Sequence, residues 1–484
     1  MLKITDTLRG TKEEFKPLKD DTVTIYICGP TVYDYTHIGH ARTYIAFDVI
    51  VRYLKYKGYK VKYVVNITDV EDKIIRKAKE LGTTPEKVAR TFEKDFFEVS
   101  RILNLLPADY YPRVTEHIED IIKVVQTLIE KGYAYSVDGD VYFDVTKFKD
   151  YGKLSKQKLE ALMAGARIEV DERKRNPADF ALWKRAKEGE PAWKSPWGYG
   201  RPGWHIECTV MSIRYLGEQI DIHGGGADLI FPHHENEIAQ SEAYTGKKPF
   251  VRYWLHTGLL QVKGEKMSKS LGNIISVREF VSKYPPDVLR FIVVSSHYRS
   301  PIEFSFEKAE QAKESVGRIH CLLEKLRLMT RTVKSIDIDE RSLDGESRFL
   351  YEKVNNVVRK FEECMDNDFH TPSALAKIFE LVSFLENILY RPKIPVSPEV
   401  LRYAYDVLRK LLKDILGFRL EEKIEDSMAG LIDVLLEVRE KLRLKKDWET
   451  ADYIRDKLRD MGIVVEDTQE GPIWKVDYRK LYTK

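Results

Sequence analysis

The stretch CGPTVYDYTHIGH, residues 28–40, decides the fold of this chain. It follows Val23–Ile27, a β-branched and aromatic run typical of a buried strand. It precedes Ala41–Tyr56, where apolar residues recur at helical spacing. The stretch therefore lies at a turn from a strand into a helix. The N-terminus of a helix offers unpaired backbone amides and a positive dipole end, so this turn favours an anionic ligand such as a triphosphate.

A second signal is the pentapeptide KMSKS, residues 266–270, in a polar loop that Lys263 opens and Gly272 closes. Two lysines and two serines can clamp phosphates, although such a pentapeptide by itself is more often a solvated turn. Its combination with HIGH, residues 37–40, favours the phosphate site. The two motifs resemble the signature sequences of class I aminoacyl-tRNA synthetases, and both are present without substitution.

Metal-binding side chains occur in three separate segments. His233 and Glu237 are four residues apart, so on a helix they share one face. With Cys28 and Cys208 they form a set of thiolate, imidazole and carboxylate donors that suits Zn²⁺ better than Mg²⁺ or Ca²⁺. Each residue alone has a simpler interpretation, such as a buried apolar cysteine, a capping histidine or a solvated helix face. The cysteines are also too far apart for a local zinc finger.

These four residues fall where the cysteinyl-tRNA synthetase family places its zinc ligands. The surrounding segments agree, namely GRPGWHIEC (200–208), IHGGGADL (222–229) and FPHHENE (231–237). The resemblance extends from about Leu8 to the C-terminus. It implies one Zn²⁺ per chain on Cys28, Cys208, His233 and Glu237. It also implies activation of L-cysteine by ATP with Mg²⁺ and transfer of the cysteine to tRNA(Cys).

The resemblance also implies roles for the signature residues. His37 and His40 donate to the triphosphate, and Lys266 and Lys269 neutralise charge that develops toward pyrophosphate. The full set of expected ATP-binding residues is His37, Gly39, His40, Gly226, Asp228, Lys266, Ser268 and Lys269. Gly226 and Asp228 match an adenosine-binding element, where glycine permits close approach and the carboxylate holds ribose hydroxyls. Their simpler interpretation is a glycine-rich turn after a strand.

The amino-acid pocket is expected to include Gly29, Thr31, Thr68 and Trp204. Thr68 follows VVNI, residues 64–67, at a strand's C-terminal end, where open α/β sheets bind ligands. Trp204 suits a core position equally well. His205 and His234 are expected to orient the metal ligands. Because zinc can select a thiolate over a hydroxyl, and because the insertion 112–199 is shorter than a typical domain of about 100–150 residues, no editing site is expected.

Composition agrees with a reducing compartment. The 484 residues carry a net charge of only +3, which excludes a general polycation and requires local patches for tRNA contact. Four cysteines without regular spacing argue against a disulfide framework. There is no 18-residue apolar run and no signal peptide, so a soluble, cytoplasmic protein is expected, as a monomer without membrane contact.

The predicted fold class is α/β. A Rossmann-like parallel-sheet catalytic domain with a small insertion precedes an α-helical bundle and a small C-terminal α+β module. The pattern predicts one helical segment over 70–103, and a loop over Lys174–Trp197. The predicted domains are the split catalytic domain 1–111 and 200–262, the insertion 112–199, the KMSKS loop and linking helices 263–305, the tRNA-binding bundle 306–426 and the anticodon-binding-like module 427–484.

The helical and C-terminal regions hold further candidates. Cys321 and Cys364 are expected to pack within helices. Trp448 and Trp474 are available for core packing or for base stacking. A basic run contributes Lys441, Arg443, Lys445 and Lys446 as a candidate RNA-binding patch, although such runs are usually solvated surface.

Two other functions fit parts of the sequence. An adenylate-forming ligase that passes cysteine to a small amine needs the same catalytic motifs but has no use for an anticodon-like module. A non-enzymatic tRNA-binding paralogue is expected to lose signature or zinc residues, and this chain keeps them all.

Overall fold

The computed structural model describes residues 1–158, 172–262, 264–266, 272–333, 336, 338–389, 396–420, 426–468 and 471–476. The chain forms two compact units. The first contains residues 1–278, 298–303 and 366–369, and the second contains residues 279–297, 304–365 and 370–484. Among the described helices, none has both the length and the apolar character needed to cross a bilayer.

The strands of the first part of the chain are short. In chain order they are β1 (Lys3–Thr5), β2 (Lys12–Glu14), β3 (Thr22–Ile27), β4 (Lys60–Val65), β5 (Ala134–Val137), β6 (Asp140–Phe143), β7 (Phe180–Arg185), β8 (Trp193–Ser195), β9 (Gly198–Pro202), β10 (Ile220–Gly226), β11 (Val251–Thr257), β12 (Leu260–Val262), β13 (Glu265–Lys266) and β14 (Ile302–Phe304).

Four of these strands form the parallel sheet that positions the site. Their order is β11-β10-β3-β4, and every pair is parallel. Strands buried on both faces read as continuous apolar runs, and the consecutive residues Ile25, Tyr26 and Ile27 are fully buried. The carboxyl ends of β3 and β10 lie side by side, which is where open α/β sheets bind ligands. The predicted Rossmann-like sheet is confirmed.

Helices connect these strands. They are Ile38–Tyr56, Asp72–Glu80, Pro85–Ile102, Ile118–Glu130, Trp204–Leu216, Glu235–Thr245 and Val277–Val281. The prediction of one helical segment over 70–103 was wrong, because two helices occupy it. Gly82 adopts a φ of +63°, and the Thr84 hydroxyl caps the second helix by accepting from the backbone N–H of Lys87. Pro85 then occupies the first helical position.

The insertion contains a five-stranded antiparallel sheet in the order β5-β6-β7-β9-β8. The predicted loop over Lys174–Trp197 was therefore wrong, since β7 and β8 lie within it. Strand β7 is central in the sheet, and its Leu182 and Trp183 are fully buried. Proline and lysine on either side gave the segment a loop-like composition, whereas its partners β6 and β9 lie elsewhere along the chain.

The second unit is mostly helical, as predicted. Its helices are Pro286–Val294, Phe306–Met329, Gly345–Met365, Thr371–Leu389, Pro398–Arg409 continued by a π-helical turn Lys410–Ile415, Asp426–Leu444 and Trp448–Asp460. They are followed by the antiparallel hairpin β15 (Ile463–Thr468) and β16 (Gly471–Val476), which gives the predicted C-terminal α+β module.

The two C-terminal tryptophans differ in environment. Trp474 is buried with Ile432, Leu436 and Leu458, and its Nε1–H donates to Asp433 Oδ1 at 2.8 Å. It therefore belongs to the small core of the module. Trp448 is exposed at the start of its helix.

Candidate active site

The HIGH segment begins the helix Ile38–Tyr56. His37 has an extended backbone and caps the helix, because its Nδ1 accepts from the backbone N–H of Gly39 at 3.1 Å and of His40 at 3.2 Å. Since Nδ1 is an acceptor, the proton of the neutral ring lies on Nε2, which can donate to a phosphate oxygen. The rings of His37 and His40 stack with centroids 3.5 Å apart.

The chain that leaves the KMSKS loop pairs directly with HIGH. The backbone N–H of Ile38 donates to the Ile275 carbonyl at 3.0 Å, and the N–H of Val277 donates to the Thr36 carbonyl at 2.9 Å. The backbone of Lys266 lies in β13, whereas Ser268 and Lys269 lie outside the described residues. The pairing places the segment that follows the second signature beside the first.

The structure brings the four predicted zinc ligands together in a buried cluster. Sγ of Cys28 lies 3.9 Å from Sγ of Cys208 and 3.7 Å from Oε1 of Glu237. Nε2 of His233 lies 2.9 Å from the same Oε1. A fifth side chain joins them, because Nε2 of His234 is 3.2 Å from Sγ of Cys28. The donor atoms of Cys28, His233, His234 and Glu237 lie within 4.8 Å of one another.

The charges in this cluster depend on one another. Burial raises the pKa of Glu237, but His223 and His233 outweigh burial and lower that pKa to about 2. Burial lowers the pKa of His233, but Glu237 and Cys208 raise it to about 10. A hydrogen bond from Cys28 lowers the pKa of Cys208 to about 6, whereas burial raises the pKa of Cys28. An ionised carboxylate and thiolate in a dry pocket fit a soft dication, which replaces protons when it binds.

Further histidines support the cluster. Nδ1 of His205 lies 2.9 Å from Nδ1 of His233, so one predicted supporting residue does contact a predicted ligand. His223 and His256 also belong to these surroundings, and neither was predicted from the sequence. Nε2 of His223 lies 2.8 Å from Oε2 of Glu237, and Nε2 of His256 lies 2.7 Å from Nδ1 of His234. His223 is the middle residue of β10 and His256 lies near the end of β11, and a histidine within a buried strand is the signal that was available.

The four residues predicted to form the amino-acid pocket line one cavity of about 310 Å³, together with Cys28, Cys208 and His233. They are Gly29, Thr31, Thr68 and Trp204. The ring of Trp204 stacks on that of His233, with centroids 4.4 Å apart. The cavity also contains His37 and His40, so the metal cluster and the first signature open into the same space.

Asn66 lines this cavity and connects two of its segments by hydrogen bonds, and it was not among the predicted site residues. Its Oδ1 accepts from the backbone N–H of Gly29 at 2.8 Å, and its Nδ2 donates to Oγ1 of Thr68 at 3.2 Å. The Thr68 hydroxyl in turn donates to Oε2 of Glu207 at 3.3 Å. This chain of hydrogen bonds fixes the strand ends on either side of the pocket.

The predicted adenosine element lies at the end of β10. Gly226 is its last residue and Asp228 lies in the short 3₁₀ turn Ala227–Leu229, and both line the same cavity as His37. A Cβ on Gly226 would stand 2.5 Å from Oδ1 of Asp228. The absence of a side chain therefore lets the carboxylate fold over the strand end, where it can reach ribose hydroxyls.

Comparison with solved structures defines the class. The chain matches Mycobacterium tuberculosis methionyl-tRNA synthetase in complex with methionyl-adenylate with a TM-score of 0.63 and 15% identity, covering 86% of this chain and 94% of that one. It also matches the Agrobacterium radiobacter K84 agnB2 LeuRS-tRNA-LeuAMS complex, with a TM-score of 0.62 and 12% identity over 84% and 86% of the two chains. The fold is that of the class I aminoacyl-tRNA synthetases.

Sequence comparison then defines the family. The class I (C) catalytic-domain family matches residues 14–314, the DALR domain matches 360–421 and the cysteinyl-tRNA ligase anticodon-binding domain matches 426–474. Cysteine–tRNA ligases from Thermococcus onnurineus (strain NA1) and Pyrococcus horikoshii are 52% and 53% identical, each over 98% of this chain and 99% of the relative. The chain belongs to the cysteine–tRNA ligase family.

Proposed function

We propose that the chain joins L-cysteine to ATP, giving cysteinyl-adenylate and pyrophosphate, and then transfers cysteine to the 3′ adenosine of tRNA(Cys). One observation carries this proposal. A single cavity is lined both by Cys28, Cys208 and His233 of the buried metal-binding cluster and by the HIGH helix start. The first suits a thiol substrate and the second suits a triphosphate.

The chemistry requires positioning rather than a protein nucleophile. The carboxylate of cysteine attacks the α-phosphorus of ATP in line, and the bond to the bridging oxygen of pyrophosphate breaks. His37 and His40 donate to the phosphates, and Asp228 holds the ribose. Lys266 and Lys269 neutralise the charge on the leaving pyrophosphate, and Mg²⁺ accompanies ATP.

The donor set fits one zinc ion held by Cys28, Cys208, His233 and Glu237. The residues are buried, the pKa values of Glu237 and Cys208 are lowered in favour of their anionic forms, and His205 and His223 orient their neighbours. Bound zinc would supply a soft Lewis acid for the substrate thiolate, which a serine hydroxyl matches poorly. The ring of Trp204, which stacks on that of His233, forms the pocket wall beside this ligand.

We also infer the division of labour along the chain. Residues 1–111 and 200–262 form the catalytic domain, 112–199 its insertion without an editing site, and 263–305 the KMSKS loop and linking helices. Residues 306–426 bind tRNA, and 427–484 read the anticodon.

The enzyme acts as a monomer in the cytoplasm, where tRNA is charged. Size-exclusion chromatography with light scattering tests the oligomeric state.

The proposal predicts strong preference for cysteine in the exchange of pyrophosphate into ATP. An apolar pocket separates near-isosteres by about 10–200-fold at most, so a thiol-selective metal site should favour cysteine over serine by at least about 10³-fold in kcat/KM. Cysteine-dependent exchange followed by charging of tRNA(Cys) supports the proposal. Exchange without charging indicates a small-amine ligase, and no exchange by the zinc-loaded protein indicates a non-enzymatic paralogue.

A further inference from the structure

A second groove adjoins the catalytic cavity. It has a volume of about 570 Å³ and is lined by Tyr33, Asp34, Lys73, Arg76, Lys77 and Glu80, with two residues from the segment after the KMSKS loop. Tyr33 and Lys73 line both spaces, so the groove directly adjoins the cavity that His37, His40, Cys28, Cys208 and His233 line.

The helix Asp72–Glu80 gives this groove its positive charge. Lys73, Arg76 and Lys77 follow i, i+3, i+4 spacing and lie on one face, while Ile74 and Ile75 are buried on the other. Within the described part of the chain, no carboxylate forms an ion pair with any of these three cations at 4.0 Å or less. Like charges at this spacing repel, so the bare face disfavours the isolated helix and favours an anionic ligand.

Two carboxylates at the start of the helix are already engaged. Asp72 accepts from Nζ of Lys184 at 2.8 Å and pairs with Arg201 as well. The Glu71 side chain caps the helix by accepting from the backbone N–H of Lys73 at 2.6 Å. Asp34 and Glu80 also line the groove, but among the described residues neither lies within 4.0 Å of Lys73, Arg76 or Lys77 as an ion pair, so the lining keeps three cations against two carboxylates.

One aromatic ring of the groove stands beside these charges. Nζ of Lys73 lies 5.5 Å from the ring centroid of Tyr33, which lines the groove. Tyr35, two residues further on, is 53% exposed but is not part of the groove lining. Cations that follow a groove together with exposed aromatic rings are the usual means of binding single-stranded nucleic acid, through phosphates and base stacking.

We propose that this groove binds the phosphates of the single-stranded 3′ end of tRNA and leads its terminal adenosine into the catalytic cavity. The inference rests on the proposed function, which supplies the RNA. It assigns to Arg76 and Lys77 a step that follows adenylate formation, since neither residue lines the cavity where cysteine and ATP react.

The test compares Arg76→Ala/Lys77→Ala with Lys79→Ala. Lys79 is exposed on the same helix but does not line the groove, so its variant removes positive charge without touching the site. We expect the double variant to raise the KM for tRNA(Cys) by about tenfold and to leave cysteine-dependent pyrophosphate exchange within about twofold. The plot of log(kcat/KM) for tRNA against log[salt] has a negative slope. Its magnitude should decrease by about 1.4 in the double variant, or about 0.7 for each lost contact to a single strand.

A tRNA without its unpaired 3′ nucleotides locates the contact. We expect this shortened tRNA to bind the double variant and the unsubstituted protein equally, because it lacks the nucleotides that Arg76 and Lys77 are proposed to contact. Weaker binding of this shortened tRNA by the double variant would place the contact elsewhere on the RNA and overturn the assignment. A raised KM of the double variant for pyrophosphate in the exchange reaction would identify the groove as a pyrophosphate site and would also overturn the assignment.

Failure of the inference is distinguishable from failure of the proposed function. If the unsubstituted protein charges tRNA(Cys) and the double variant charges it equally well with an unchanged salt slope, the groove assignment is wrong and the function stands. If the unsubstituted protein does not charge tRNA(Cys), the proposed function itself is wrong.

Discussion

Replacement of Cys208 by alanine should remove zinc from the protein and lower kcat/KM for cysteine in pyrophosphate exchange by at least about 10³-fold. Loss of a residue that merely orients a ligand costs 10–100-fold in metal proteins, and loss of a ligand should cost more. A 10³-fold loss corresponds to about 4 kcal/mol of transition-state stabilisation. Because the remaining pocket separates near-isosteres poorly, residual activity should also lose most of its preference for cysteine over serine.

Cys321→Ala is the matched control. Cys321 lies in the helix Phe306–Met329 of the second unit and is not part of the metal-binding cluster, so zinc content and exchange should not change. Zinc per chain is measured by atomic absorption and activity by steady-state exchange. Full zinc and full activity in Cys208→Ala would show that Cys208 is not a ligand.

His234→Ala separates two ligand sets. The donor atoms of Cys28, His233, His234 and Glu237 already lie within 4.8 Å of one another, so His234 can replace Cys208 as the fourth ligand. If Cys208→Ala keeps zinc and His234→Ala loses it, His234 is the ligand. If Cys208→Ala loses zinc and His234→Ala retains it, His234 only supports the site, as its contact with His256 suggests.

Gly29→Ala should lower cysteine activation by about 10²-fold or more without removing a single polar group. A Cβ at this position would lie 1.5 Å from the backbone carbonyl oxygen of Asn66, so one strand end must move. Asn66 also holds Gly29 and Thr68 in place, and Cys28 precedes Gly29 directly. A shift of about 1 Å in the reacting groups can cost 10²-fold, and overpacking typically costs 1–3 kcal/mol of stability.

Gly345→Ala is the control for this change. Gly345 is exposed, a Cβ there meets no atom within 4 Å, and the residue begins the helix Gly345–Met365. Its exchange activity should be unchanged and its stability should stay within about 0.5 kcal/mol. Exchange kinetics and thermal unfolding of both variants provide the readout. A Gly29→Ala protein with normal kinetics would show that the Asn66 strand end yields without affecting the pocket.

Secondary structure was predicted correctly from the sequence where the residues that stabilise an element are neighbours in the chain. Residues 23–56 contain an apolar strand, the turn with HIGH and a helix in immediate succession, and strand and helix form within three residues of the predicted ends. The insertion shows the opposite case. Strand β7 is stabilised by pairing with β6 and β9, and its own Lys-rich, Pro-bounded context resembles a loop.

The sequence by itself determined the α/β class, the helical second region, the C-terminal module and the family, because periodicity and contiguous motifs are local properties. Only the tertiary structure joined Cys28, Cys208, His233 and Glu237 at one point and added His223, His256 and Asn66 to their surroundings. Parallel strand order is the physical reason. Neighbouring β3, β10 and β11 come from distant parts of the chain, so their carboxyl ends meet only after the sheet has formed.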